Sequence, residues 1–125
     1  MKIEKKVTNF QDERGFIQDI LIGDVVDAVT LLSCEPGAIR GNHFHKKSTQ
    51  YLYVISGKLI CASQKGDSPV EMEEIVEGDL VTNPPGEKHA FKALEKSLVL
   101  SMTKGPRKGK NYEKDTYRLD PPILQ

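Results

Sequence analysis

Residues 37–57 read GAIRGNHFHKKSTQYLYVISG, and residues 78–93 read GDLVTNPPGEKHAFKA. Together they hold every histidine of the chain: His43 and His45 in the first stretch, His89 in the second. In a strand, residues i and i+2 point to the same face, so an HxH pair projects two imidazoles together. A β-scaffold can thus offer two nitrogen ligands to one ion, or two proton-transfer groups to one substrate. His89 follows NPPGEK, a turn that reverses the chain, and shares its strand face with Phe91 and Ala93. A lone histidine is most often a surface or satisfied core residue. Three histidines confined to these two stretches weaken that bland reading.

Outward from these stretches, short apolar segments recur at 16–22, 25–33, 50–56, 58–64, 70–76, 79–83, 89–94 and 97–103. Between them lie EPG, SGK, KGDSP, EGD, NPPGEK and KGPRKGK, all rich in turn formers. Strands at this spacing predict an all-β sandwich or barrel. Only residues 109–118 offer a weak helical period. If Gln50, Leu52 and Val54 face inward, Tyr51, Tyr53 and Ile55 face outward, where a second sheet or a partner subunit would cover them. Phe44, between the histidines, faces away from them into packing.

At 125 residues the chain is one domain, 1–125, with 105–125 expected as a tail on the surface or across a partner subunit. Eighteen basic residues balance 18 acidic ones, which argues against a nucleic-acid binder. No apolar run is long enough for a membrane span, and MKIEKKVTNFQDERG has no apolar core of a secretory signal. A cytoplasmic protein is expected. Cys34 and Cys61 form no CxxC pair and read as two reduced, buried thiols. Arg107, Lys108 and Lys110 read as a solvated basic loop, with a phosphate contact as the sharper alternative.

The pattern Gly37-x5-His43-x-His45-x4-Gln50-x6-Gly57 resembles the first cupin motif, and Gly78-x5-Pro84-x-Gly86-x2-His89 the second. The resemblance implies a cupin-type antiparallel β-barrel of the jelly-roll kind, with a ligand site inside. It also implies a divalent transition metal (Zn, Fe, Mn or Ni) on His43, His45, Gln50 and His89. Without a cofactor, the same side chains form an acid/base cluster. Gln50 stands where cupins usually carry Glu, and Ala93 where they usually carry Asn. The neutral Gln50 can offer only a carbonyl oxygen, so metal affinity should fall.

The flanks, Asp12-Glu13-Arg14-Gly15 and Arg40-Gly41-Asn42-His43-Phe44-His45-Lys46-Lys47, are similar to the nucleotide-sugar branch of the cupins. They resemble dTDP-4-keto-6-deoxyhexose ketoisomerases and the zinc-binding C-terminal cupin domain of capsular-polysaccharide reductase/epimerases. Asp115-Thr116-Tyr117 is similar to a segment of that domain. The early Asp-x-Arg-Gly is also shared with dTDP-4-dehydrorhamnose 3,5-epimerases.

The resemblance implies an isomerase or epimerase acting on a nucleotide-linked 4-keto sugar in polysaccharide or deoxysugar biosynthesis. His45 would be the base, His43 its relay partner, and Arg40 the cation beside an enolate or diphosphate. Arg40, Lys46 and Gln50 would bind substrate. A homodimer paired through sheet edges is expected. The alternatives are a metal-dependent cupin oxygenase on a small organic molecule and a non-catalytic small-ligand-binding cupin.

Overall fold

The alternation of apolar and polar residues resolves into twelve strands and one short helix. The structure, a computed structural model, describes residues 1–125. In chain order the elements are β1 (Lys2–Lys5), β2 (Phe10–Asp12), β3 (Gly15–Ile17), β4 (Ala28–Cys34), β5 (Ile39–Phe44), β6 (Thr49–Ser56), β7 (Lys58–Gln64), β8 (Glu71–Val76), β9 (Asp79–Asn83), β10 (Lys88–Ala93), β11 (Ser97–Lys104), α1 (Lys110–Lys114) and β12 (Tyr117–Arg118). Two five-stranded sheets face each other, ordered β1-β9-β6-β11-β4 and β12-β5-β10-β7-β8, and β2-β3 is a separate hairpin. Every pairing is antiparallel. This is the all-β, single-domain cupin-type barrel that the two motifs imply. No helix is long and apolar enough to cross a membrane.

The inward faces change character along the strands. At one end Leu52, Val54, Leu59, Cys61, Val81, Phe91, Ala93 and Val99 form the apolar core with Cys34 and Ile75. Further along the same strands the buried positions become Ser63, Asn83, His89, Ser101 and Thr103. The register aligns this polar end: Gln50 lies opposite both Thr103 and Asn83, and His89 lies opposite both His43 and Ser63. Apolar burial holds the sheets together at one end, which leaves the other free to carry chemistry. Both cysteines are free and buried in the core, and burial, with Asp79 nearby, pushes the Cys61 thiol up to about 12.

Two local features set the barrel's shape. Gly57 closes the β6–β7 turn at φ 100°, and a Cβ there would stand 2.7 Å from the Lys96 carbonyl oxygen. In β5 the register against β10 shifts, with His43 opposite His89 but Gly41 opposite Ala90, so Asn42 is the extra residue of a β-bulge. Gly41 (φ 93°) and Asn42 (φ 55°) both take left-handed conformations there. A Cβ on Gly41 would meet the His89 carbonyl oxygen at 2.9 Å, so β5 and β10 approach closely because residue 41 has no side chain.

The structure departs from the sequence reading in several places. The segment 16–22 is a strand only through Ile17; beyond it the chain lies across the outer face of the first sheet. There Ile20, Leu21 and Val26 pack on Tyr51, Leu80 and Met102. The outward tyrosines are therefore covered by their own chain rather than by another sheet or subunit. Phe44 does face away from the histidines, stacked on Tyr117 at 5.0 Å. Residues 105–125 return onto their own barrel. Leu124 is buried with Ala62 and Ala90, and Asn42 Oδ1 accepts hydrogen bonds from the Ile123 and Leu124 N–H groups.

Candidate functional site

The bulge in β5 places the site residues. On a regular strand Arg40 and His43, three apart, would face opposite sides. The extra residue restores them to one side, and both line a cavity of about 240 Å³ at the polar end of the barrel. His89 and Phe91 from β10, Gln50 from β6, Thr30 and Leu32 from β4, and Ser101 from β11 share that wall. The three imidazoles meet there, with ring centroids 4.7 Å (His43–His45), 4.8 Å (His43–His89) and 5.4 Å (His45–His89) apart. All three are buried. His43 and His89 front the cavity, with His45 behind them.

Two backbone carbonyls fix the ring tautomers. His45 Nδ1–H donates to the Asp115 carbonyl at 2.9 Å, and His89 Nδ1–H donates to the Glu87 carbonyl at 3.1 Å. Nε2 of each ring therefore carries the lone pair. His45 Nε2, His89 Nε2 and His43 Nδ1 are buried with no partner. Burial is also the main reason the His43 and His89 rings stay neutral. It pushes His43 down to about 3, helped by repulsion from His89, His45 and Arg118. It pushes His89 down to about 4, against the opposing pull of its Glu87 hydrogen bond.

Three buried rings, each with an orphaned nitrogen, suit what a divalent metal requires of its ligands. One ring nitrogen from each histidine falls within 4.8 Å of the others. Gln50 faces the same cavity; its Nε2 donates to Ser101 Oγ at 3.3 Å, which leaves the carbonyl oxygen available. The donor set fits a metal such as zinc, iron or nickel.

The other expected residues divide. Arg40 lines the cavity, and its guanidinium donates to the Ser33 carbonyl at 3.1 Å. Lys46 does not reach the cavity; its ammonium lies 4.5 Å from the centre of the Tyr117 ring. Asp12 and Arg14 pair with each other on the β2–β3 hairpin, where Arg14 holds the Asp12 carboxyl below its usual range. Arg107, read from the sequence as part of a solvated basic loop, and Tyr112, which the sequence did not single out, both line the cavity. Their signal was a single basic and a single aromatic residue in a polar tail, too weak to read alone. Asp115 was visible only in a short match. Its buried carboxylate accepts from the Lys46 and Lys47 N–H groups and from Ser48 Oγ, while its carbonyl holds His45.

Barrel and histidine cluster together define a protein of cupin-type fold. The family model of the polysaccharide biosynthesis C-terminal domain matches residues 10–117, and the chain belongs to that family. Among solved structures it is similar to QdtA, a sugar 3,4-ketoisomerase from Thermoanaerobacterium thermosaccharolyticum in complex with TDP. The TM-score is 0.78 at 18% identity, over 94% of this chain and 87% of that one. The rmlC epimerase of Mycobacterium tuberculosis gives a TM-score of 0.77 at 17% identity, over 94% and 67%. CapF, a capsular polysaccharide assembling protein of Staphylococcus aureus, gives 0.64 at 21% identity, over 91% of this chain but 34% of CapF. No functionally curated protein matches the chain. At these identities the shared property is the fold.

Proposed function

We propose that the protein is a sugar-nucleotide isomerase or epimerase acting on a 4-keto sugar. One observation carries the reading: three buried imidazoles with unpartnered nitrogens converge, two of them lining a cavity that also holds Arg40. At about 240 Å³ the cavity is smaller than the usual ligand pocket, so it suits the sugar ring and adjoining phosphate, with the nucleoside lying outside. A 4-keto group acidifies the C–H at C3. The base that accepts that proton is assigned to His43, through Nδ1, which lines the cavity, rather than to His45 as the resemblance implied, because His45 lies behind it. His45 Nε2 behind it shares the positive charge, with the Asp115 carbonyl holding the His45 Nδ1–H. The charge developing on the enolate favours the protonated ring, against the burial that keeps it neutral in the empty cavity. Arg40 is positioned to bind the enolate oxygen or the diphosphate. Return of the proton to another atom or face completes the isomerisation or epimerisation.

If a metal is bound, His43, His45 and His89 would hold it, with Gln50 facing it. Such an ion supplies Lewis-acid polarisation of the keto oxygen. A ring nitrogen that ligates an ion cannot also take the proton, so the two uses exclude each other ring by ring. Elemental analysis, followed by assay before and after chelation, separates them.

The same proposal places the protein in the cytoplasm, with its nucleotide-sugar substrate, as a homodimer. Of the four sheet edges, β1 carries Lys2, Glu4 and Lys5, β8 carries Glu71, Glu73 and Glu74, and β12 is two residues long. Only β4, AVTLLSC, is long and uncharged, with Val29 and Leu31 exposed. It is the edge best suited to pair with a second copy. Light scattering in solution tests this.

The catalytic proposal is tested by incubating the protein with dTDP-4-keto-6-deoxyglucose in deuterated water. Deuterium entering C3 or C5 is expected by NMR. No uptake with this substrate or its UDP counterpart would overturn it.

A further inference from the structure

The cavity's charge is lopsided. Its lining contains two guanidiniums, Arg40 and Arg107, and no carboxylate, in a protein whose formal charges sum to zero. Neither arginine has an acidic partner within 4.0 Å, although nine ion pairs form elsewhere in the molecule. Arg107 is instead held by an aromatic face, with its guanidinium carbon 3.9 Å from the centre of the Tyr112 ring. That contact fixes the fork without neutralising it.

The segment carrying this pair is fastened at both ends. Gly105 N–H donates to Asp27 Oδ2 at 2.7 Å. At the other end the Asp115 carboxylate accepts from the 46–48 turn, and its carbonyl accepts from His45. Residues 105–115 thus form a strap across the cavity, and the Tyr112 ring packs 5.3 Å from the His45 ring.

We infer that Arg107, seated on Tyr112, is a second anion-binding group of this site and selects ligands bearing a diphosphate. The inference rests on the proposed function in taking that diphosphate to belong to a nucleotide sugar. Two uncompensated guanidiniums in one small cavity leave mutual repulsion that a dianion relieves and a neutral organic molecule does not. The planar fork of Arg107 matches two phosphate oxygens, and its aromatic seat lowers the conformational cost of holding it there. Lys108 and Lys110, the other members of the basic run, lie outside the cavity lining and serve as internal controls.

The experiment measures calorimetric binding of two probes, TDP and inorganic pyrophosphate, to the full chain. The proteins are the unaltered chain, Arg107→Gln, Arg107→Lys, Tyr112→Leu and Lys108→Ala, each first checked for an unchanged thermal midpoint. Arg107→Gln should weaken both probes by about ten- to a hundredfold, the effect of removing one charged hydrogen-bonding group. Arg107→Lys, which keeps charge without the fork, should fall between, and Lys108→Ala should match the unaltered chain. If TDP binds and Arg107→Gln binds it equally well, the inference about Arg107 is overturned while the nucleotide-sugar reading stands. If pyrophosphate binds through Arg107 but TDP does not bind, the anion site stands and that reading falls. If neither probe binds the unaltered chain, both are overturned.

Discussion

Gln50 sets how much negative charge the site can offer a metal ion. It lies on the cavity wall in line with Asn83 and Thr103, and its amide donates to Ser101 Oγ at 3.3 Å. As the fourth member of a metal cradle it contributes a neutral oxygen, so a divalent ion there would keep its whole double charge among neutral ligands. Gln50→Glu should therefore tighten Zn(II) binding by at least about tenfold, or ~1.4 kcal/mol, because a carboxylate is added without changing side-chain length. The Ser101 hydroxyl can turn to donate to it. Competition titration against a chelator of known affinity checks this; equal affinities would show that Gln50 does not face the ion. At this scale the sequence told much but not all. The HxH spacing and His89 could be read from period-two geometry alone. The tautomers could not, because the carbonyl that fixes His45 belongs to Asp115, 70 positions away.

Among the elements, β5 and the strap of residues 105–115 build the site together. The strand rule put both imidazoles of the pair on one face. It could not align Arg40 with them, since that depends on the Asn42 bulge, an irregularity that alternation hides. The strap was legible only as a polar tail ending in prolines, because its contacts are a few long-range hydrogen bonds rather than an apolar period. Those contacts are concentrated at Asp115. Its buried carboxylate satisfies two N–H groups and a hydroxyl of the 46–48 turn. Asp115→Ala would leave those donors without partners, the buried Ser48 hydroxyl among them, so the fold should lose about 3 kcal/mol in denaturant titration. The carbonyl that holds His45 belongs to the backbone and stays in Asp115→Ala, but without the carboxylate's anchor to the 46–48 turn it should shift away from the ring, with metal affinity falling about 10- to 100-fold. Asp115→Asn keeps an acceptor oxygen and should recover part of both. Nitrogen-15 NMR of the His45 ring distinguishes loss of the tautomer from a general loss of stability. An unchanged Nδ1–H signal in Asp115→Ala would show that the carboxylate does not position the backbone carbonyl that holds His45.

For the molecule as a whole, an apolar end carries the stability and a polar end spends part of it on chemistry, and pH exposes that division. The polar end keeps His43 and His89 neutral, with burial pushing them down to about 3 and about 4 from the ordinary 6.5. The charged and titratable groups around them are His45, Glu87 and Arg118. Above pH 6.5 both rings are neutral in the folded and unfolded chains, and their contribution to stability is fully present. Below 6.5 the unfolded chain takes up protons that the folded chain refuses, so stability falls as pH falls. The difference approaches about two protons near pH 5. It closes only as pH passes through about 4 and then about 3, where the folded rings also protonate. Asp12, whose carboxyl is lowered by Arg14, acts only around and below its ordinary 3.8 and so leaves this window clear. The thermal midpoint of the metal-free protein should be flat above about pH 7.5 and then drop steadily to pH 4. Replacing both rings, His43→Gln with His89→Gln, should flatten most of that drop while leaving the pH 7.5 fold intact by circular dichroism. Saturating Zn(II) should raise the midpoint at pH 7.5 and lose its effect as protons compete for the same nitrogens. A double variant with the same slope as the unaltered chain would show that the acid sensitivity arises elsewhere, and that the cluster is not held neutral by its burial.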